Sequence, residues 1–150
     1  MLHRFPDLWQ QIKADQSVIP KVLEETLRYE APVPHSEQTT TNEIEVGNTI
    51  IPPNQNVIPF FAMANRDPKA FDDPHGFDPF RKESGKHLSF GTGPHACLGA
   101  NLARMIGNNL FSVLAQQFKQ FQFEVAVDEI EWLATSYLRG PKRLPVRFER

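Results

Sequence analysis

The sequence predicts a mostly helical fold with small β-sheets, an α+β arrangement, and three observations carry that prediction. First, Leu98, Leu102, Ile106, Leu110, Leu114 and Phe118 recur every fourth residue, with Ala103, Phe111 and Ala115 beside them. That period marks a long helix. Second, Val18–Glu30 places Ile19, Val22, Leu23 and Leu27 on one helical stripe. Third, the chain has 13 prolines, which crowd between residues 32 and 94, where only short alternating runs survive. That middle stretch is therefore expected to be irregular, with strands too brief for a large sheet.

In chain order, Asp7–Asp15 is a short amphipathic piece with Leu8 and Ile12 four apart, expected to be the end of a helix whose beginning is absent. Ser17 is the expected N-cap of the next helix, Val18–Glu30. Pro20 is tolerated in its first turn, where no intrahelical N–H bond is lost, and Pro32 stops it by disfavouring helical geometry at the preceding residue. Glu25 and Arg28, three apart and off the apolar stripe, read alone as an exposed ion pair worth a few tenths of a kcal/mol. Between 37 and 59 the runs Ile44–Val46, Thr49–Ile51 and Val57–Ile58 alternate with the turn signals Gly47-Asn48 and Pro52-Pro53-Asn54, which predicts a β-meander. Phe121–Val125 alternates as a strand. Tyr137–Gly140 and Leu144–Phe148 are expected to close the chain as a strand pair around a turn.

The one cysteine, Cys97, lies in Phe90-Gly91-Thr92-Gly93-Pro94-His95-Ala96-Cys97-Leu98-Gly99. Three glycines and a proline make this a tightly turned loop, since glycine alone accepts left-handed or crowded backbone without penalty. Cys97 falls at or just before the start of the long helix, whose dipole and free N–H groups favour a thiolate. Other chemistries of this cysteine are a buried inert thiol, a nucleophile with His95 as base, and a zinc ligand. The nucleophile lacks a third group to orient the histidine, and zinc lacks paired ligands at closed-site spacing.

The loop resembles the haem-ligand loop of the cytochrome P-450 superfamily, Phe-x-x-Gly-x-(Arg or His)-x-Cys-x-Gly, with Phe90, Gly93, His95, Cys97 and Gly99 at every fixed position. The resemblance implies that Phe90, Gly91, Gly93, His95, Cys97 and Gly99 bind the cofactor, haem b. Cys97 would be the axial thiolate on its iron, His95 would face a propionate, and Phe90 would pack by the sulfur. It also implies that Glu25-Thr26-Leu27-Arg28 is the family's Glu-x-x-Arg pair, buried under the coil at 71–81. Asn65-Arg66-Asp67-Pro68 and the run Phe71, Pro74, Phe77 match the segments leading into that coil, and Arg139-Gly140-Pro141 matches the family's last hairpin.

Two positions depart from the pattern. Gly76 stands where many members carry an Arg or His that completes a triad with Glu25 and Arg28, and His75 and Arg81 are the two available substitutes. Gln38 stands where bacterial members place an arginine on a propionate.

The implied protein is a bacterial, soluble haem-thiolate monooxygenase that inserts one oxygen atom of O2 into a small organic substrate, with a ferredoxin or flavodoxin as electron donor. Residues 1–150 are expected to form a single unit corresponding to the last third or so of a family member, without the distal helix that delivers protons to oxygen. Catalysis by these residues alone is not expected. Alternatives are a non-catalytic remnant or accessory haem-binding chain, and a Cys-dependent hydrolase or redox sensor. Arg81, Lys82, Lys86, His87 and Arg104 are expected to offer a basic docking face, and Val33, Pro34, Ser36 and Ser136–Leu138 to touch substrate.

Composition agrees with a single globular unit. The chain is 40% hydrophobic and 23% charged with a net charge of -2, and its sequence pI is about 6.2. No basic stripe points to nucleic acid. No apolar run reaches the length of a membrane span and the first residues lack a signal-peptide h-region, so a cytoplasmic protein is expected. One cysteine excludes an internal disulfide.

Overall fold

The computed structural model describes residues 1–150. Four α-helices and six short strands follow one another along the chain. Helix α1 spans Pro6–Ala14 and α2 spans Ile19–Tyr29, joined by a short 3-10 turn at Gln16–Val18. Here the N-cap expected at Ser17 moves: Asp15 Oδ1 accepts the Ser17 N–H at 2.9 Å, so the aspartate caps the turn and Ser17 lies inside it. Pro20 sits in the first turn of α2, where a missing N–H costs nothing.

Strands β1 (Gln38–Thr39), β2 (Ile44–Val46), β3 (Thr49–Ile51) and β4 (Asn56–Val57) form two separate antiparallel pairs, β2 with β3 inside β1 with β4. Gly47 has φ +60° in the tight β2–β3 turn. Helix α3 is a single turn, Phe61–Ala64. The coil from 65 to 99 leads into α4, Ala100–Gln117.

The end of the chain differs from expectation. Strand β6 (Val146–Glu149) pairs with β5 (Gln120–Phe123), with Phe121 opposite Phe148, and not with residues 137–140. Residues 137–140 form no strand, and the only pairing nearby is an isolated bridge between Trp132 and Pro141. A hairpin between 137–140 and 144–148 requires a sheet face to bury, and the apolar side chains of β5 supply that face only to β6.

The core is one cluster where α1, α2 and α4 meet: Leu8, Trp9, Ile12, Ile19, Val22 and Ala115, flanked by Leu23, Phe111, Leu114 and Phe121. Trp9 packs edge-on to Phe121 at 5.3 Å and donates its indole N–H to the Lys119 carbonyl at 2.9 Å. Helix α2 approaches α4 closely because residue 107 is glycine: a Cβ there would lie 3.0 Å from Leu23 Cδ1. Only 16 of the 150 residues are buried, so most of α4 has no partner. Its expected core stripe is in fact split. Leu114 and Phe118 turn inward, whereas Leu98, Leu102, Ile106 and Leu110 are exposed.

Candidate functional site

Gly91 and Gly93 adopt φ +66° and +70°, left-handed values that L side chains rarely take, so the loop before Cys97 needs glycine there. Residues Gly93–His95 make a single 3-10 turn, closed by the Ala96 N–H on the Gly93 carbonyl at 3.1 Å. The Cys97 N–H then returns to the Phe90 carbonyl at 2.8 Å, and the Ala100 N–H binds the Cys97 carbonyl at 3.2 Å. Cys97 is exposed. Gly99 is the N-cap of α4, and no side chain caps that end. The helix dipole and free N–H groups are thus open to an anion beside Cys97, as the sequence predicts.

His95 is exposed as well, and no group of three or more His, Cys, Asp or Glu residues converges on the cysteine. A closed tetrahedral metal site therefore has no ligands here, and no carboxylate orients His95 as a base. What lies beside the thiol is apolar. Leu98, Leu102, Ile106 and Leu110 extend along α4 from Cys97 as a bare strip. The chemistry available here is one soft donor on an uncapped helix end beside exposed apolar side chains, which can give a metal a single ligand from this side.

The loop is anchored from beneath by α2. Glu25 and Arg28, both with fully buried side chains, form a bidentate pair with two bonds of 2.8 Å. Arg28 also donates to the carbonyls of Asn65 and Pro74 at 2.9 Å and of Gly76 at 2.7 Å. The exposed reading of this pair is wrong and the resemblance-based one right, because the coil after α3 closes over it. Arg81 substitutes for the side chain that Gly76 lacks: its Nε donates to Glu25 Oε1 at 3.0 Å. His75 has no part in the cluster.

Asn65 extends the network to the loop. Its buried side chain accepts the Leu88 N–H at 2.6 Å and donates to Ser89 Oγ at 2.8 Å, and Ser89 Oγ donates to the Leu27 carbonyl at 2.6 Å. Glu24, the neighbour of Glu25, binds Arg104 and His87. Burial opposes the charge of Glu24, but the hydrogen bonds and charges of Arg104 and His87 outweigh it and hold the carboxyl down at about 2.

Sequence reasoning missed Glu24 and Ser89 and gave Asn65 no role. Adjacent glutamates on the polar side of a helix look solvated, and the available signal was a pair of unmatched cations, His87 and Arg104, flanking the loop. Those two, with Arg81, leave the expected docking face. His87 is buried and Arg81 nearly so, and Arg104 is committed to Glu24. Lys82 and Lys86 stay exposed.

The two segments singled out for substrate contact do meet. The Arg139 N–H donates to the Pro32 carbonyl at 2.8 Å, and Pro34 and Leu138 line one cavity of about 220 Å³ with Trp132 and Leu133. Val33, Ser36, Ser136 and Tyr137 do not line it. Gln38 lies in β1, exposed and opposite Val57.

Comparison with known proteins follows the same line. Residues 11–146 match the family model for cytochrome P450. The chain is 38% identical over 149 residues to 6-deoxyerythronolide B hydroxylase of Saccharopolyspora erythraea, covering 99% of this chain and 37% of that protein. It is 46% identical over 146 residues to erythromycin C-12 hydroxylase of the same organism, covering 97% and 36%. Among solved structures, the tirandamycin C-bound P450 monooxygenase TamI superposes with a TM-score of 0.90 at 39% identity, covering 99% of this chain and 37% of that one. The chain thus spans little more than a third of the length of the relatives it matches. With the loop, the buried Glu25–Arg28 pair and the superposition in agreement, the chain belongs to the cytochrome P450 family.

Proposed function

We propose that this chain is the haem-ligand portion of a haem-thiolate monooxygenase, in which the Cys97 sulfur would hold the haem iron. The observation that carries this reading is the exposed Cys97 thiol, presented on a glycine-shaped loop at an uncapped helix end and bordered by an apolar strip. Phe90, Gly91, Gly93, His95 and Gly99 complete the cofactor side of the loop. Gly91 and Gly93 give the chain its turn, and no atom lies within 4 Å of a Cβ built on Gly93, so the backbone there is open to a flat ligand. His95, exposed two residues before the ligand, would donate to a propionate. When bound, haem b supplies the activation of O2 that inserts one oxygen atom into an organic substrate.

The chain's own residues present the sulfur at the uncapped start of α4 and anchor the loop through Glu25, Arg28, Arg81 and Asn65. The cavity between Pro34 and Leu138 would take part of a small organic substrate. Lys82 and Lys86 are the exposed cations left for docking an acidic electron donor, a ferredoxin or flavodoxin. No helix is long and apolar enough to cross a membrane. The thiol-enzyme reading finds no support, because His95 has no orienting partner.

The test is the absorption spectrum of the reduced, haem-loaded chain under carbon monoxide. A thiolate-type, red-shifted band that Cys97→Ser removes is expected. A band that survives in Cys97→Ser overturns the assignment.

A further inference from the structure

Between Phe90 and Cys97 the loop is held mainly to itself. The Ala96 N–H binds the Gly93 carbonyl at 3.1 Å within the loop, and the Gly91 N–H binds the Leu88 carbonyl at 2.8 Å just before it. Gly91 and Gly93 carry no side chain to fix it. Its orientation against the helices must therefore come from its two ends, and one of those ends is Phe90.

The Phe90 ring is gripped from outside the loop. Arg104 of α4 places its guanidinium carbon 4.6 Å from the ring centroid. That guanidinium is itself pinned by Glu24 of α2, with Nε to Oε1 at 2.6 Å and Nη2 to Oε2 at 2.8 Å. His87 closes the cluster. Its Nε2 lies 3.1 Å from Glu24 Oε2, its ring centroid lies 5.9 Å from that of Phe90, and its Nδ1 accepts the Ser89 N–H at 3.2 Å. An acceptor at Nδ1 fixes the proton on Nε2, so the imidazole donates to Glu24. The Phe90 carbonyl in turn receives the Cys97 N–H at 2.8 Å.

We propose that Glu24, Arg104 and His87 are positioning residues that clamp the Phe90 ring and, through the Phe90 carbonyl, fix the backbone of Cys97. A guanidinium held bidentately by a carboxylate is restrained, so its position over the ring becomes a fixed stop. Lysine at 104 keeps the charge near Glu24 but has no planar face to lay on the ring. The consequence for function rests on the reading of Cys97 as the iron ligand, whereas the clamp itself can be read out without haem.

The direct observable is hydrogen exchange at the Cys97 amide, because that N–H is the last link of the chain of contacts. Exchange is followed by NMR in the full 150-residue chain for wild type, Arg104→Lys, Phe90→Leu and the double variant, with the Thr26 amide of α2 as the internal reference. Cys97 exchange should quicken at least tenfold in each single variant and no further in the double, with Thr26 unchanged. Wild-type exchange at Cys97 in Arg104→Lys, or additive effects in the double variant, would overturn the clamp. Should Phe90→Leu raise exchange at Thr26 as well, it has unfolded and Arg104→Lys decides alone. The carbon monoxide spectrum on the same samples separates the two claims. Absence of a thiolate band in the wild type removes the ligand assignment while the exchange result still decides the clamp.

Discussion

Arg81 Nε donates to Glu25 Oε1 at 3.0 Å, so the third member of the buried cluster on α2 comes from position 81 and leaves Gly76 free of that role. Gly76 contributes its carbonyl instead, which accepts from both Arg28 at 2.7 Å and Arg81 at 3.1 Å. Two arginines and one glutamate therefore hold the coil at 72–78 against the helix that underlies the Cys97 loop.

Breaking this cluster one member at a time should be costly. Glu25→Gln and Arg28→Ala each leave a buried charge without its partner, and each is expected to destabilise the chain by about 3–5 kcal/mol. Arg81→Ala leaves Glu25 still paired with Arg28, so its cost should be smaller, about 1–3 kcal/mol. Urea unfolding midpoints of the three variants check the order. An Arg81→Ala variant as stable as wild type would show that Arg81 only fills space.

Acid should unfold the chain partly through Glu24. Its carboxyl is held from 4.5 down to about 2 in the folded state, a depression worth on the order of 3 kcal/mol. Because the folded value lies below the unfolded one, this stabilisation is complete above about pH 4.5 and is lost as the pH falls through about 2. Glu24→Gln should thus be less stable than wild type at pH 7, and the gap should shrink by about half or more at pH 3. Denaturation curves at the two pH values decide, and a gap of constant size would exclude the Glu24 carboxylate as its source.

The bare strip on α4 should behave as surface. Leu102, Ile106 and Leu110 are 55%, 56% and 51% exposed, so changing all three to Gln should alter the stability of this chain by no more than about 0.5 kcal/mol per site. The same change should reduce binding of a hydrophobic dye and self-association. A cooperative loss of several kcal/mol would mean that the strip is packed in solution.

Local rules read most of the local structure correctly. The period of α2, Pro20 and Pro32 at its ends, the β2–β3 turn at Gly47 and the glycine loop before Cys97 all follow from short-range sterics and patterning. One miss was local: Asp15 displaced Ser17 as cap because a 3-10 turn precedes α2. The other failures come where a distant segment decides. Strand β6 chose β5 across more than twenty residues, and a regular i, i+4 stripe on α4 could not say which of its residues would find a partner. Of the candidate site, the glycine turn before Cys97 was legible from spacing. Glu24, whose partners lie 63 and 80 residues away at His87 and Arg104, was not.

Iron K-edge X-ray absorption on the haem-loaded chain reads out whether the Cys97 sulfur binds iron. We predict a sulfur scatterer bound to the iron in the wild type, absent in Cys97→Ser and retained in His95→Ala. An iron with only nitrogen and oxygen neighbours in the wild-type chain, or one whose sulfur persists in Cys97→Ser, would show that Cys97 is not the ligand.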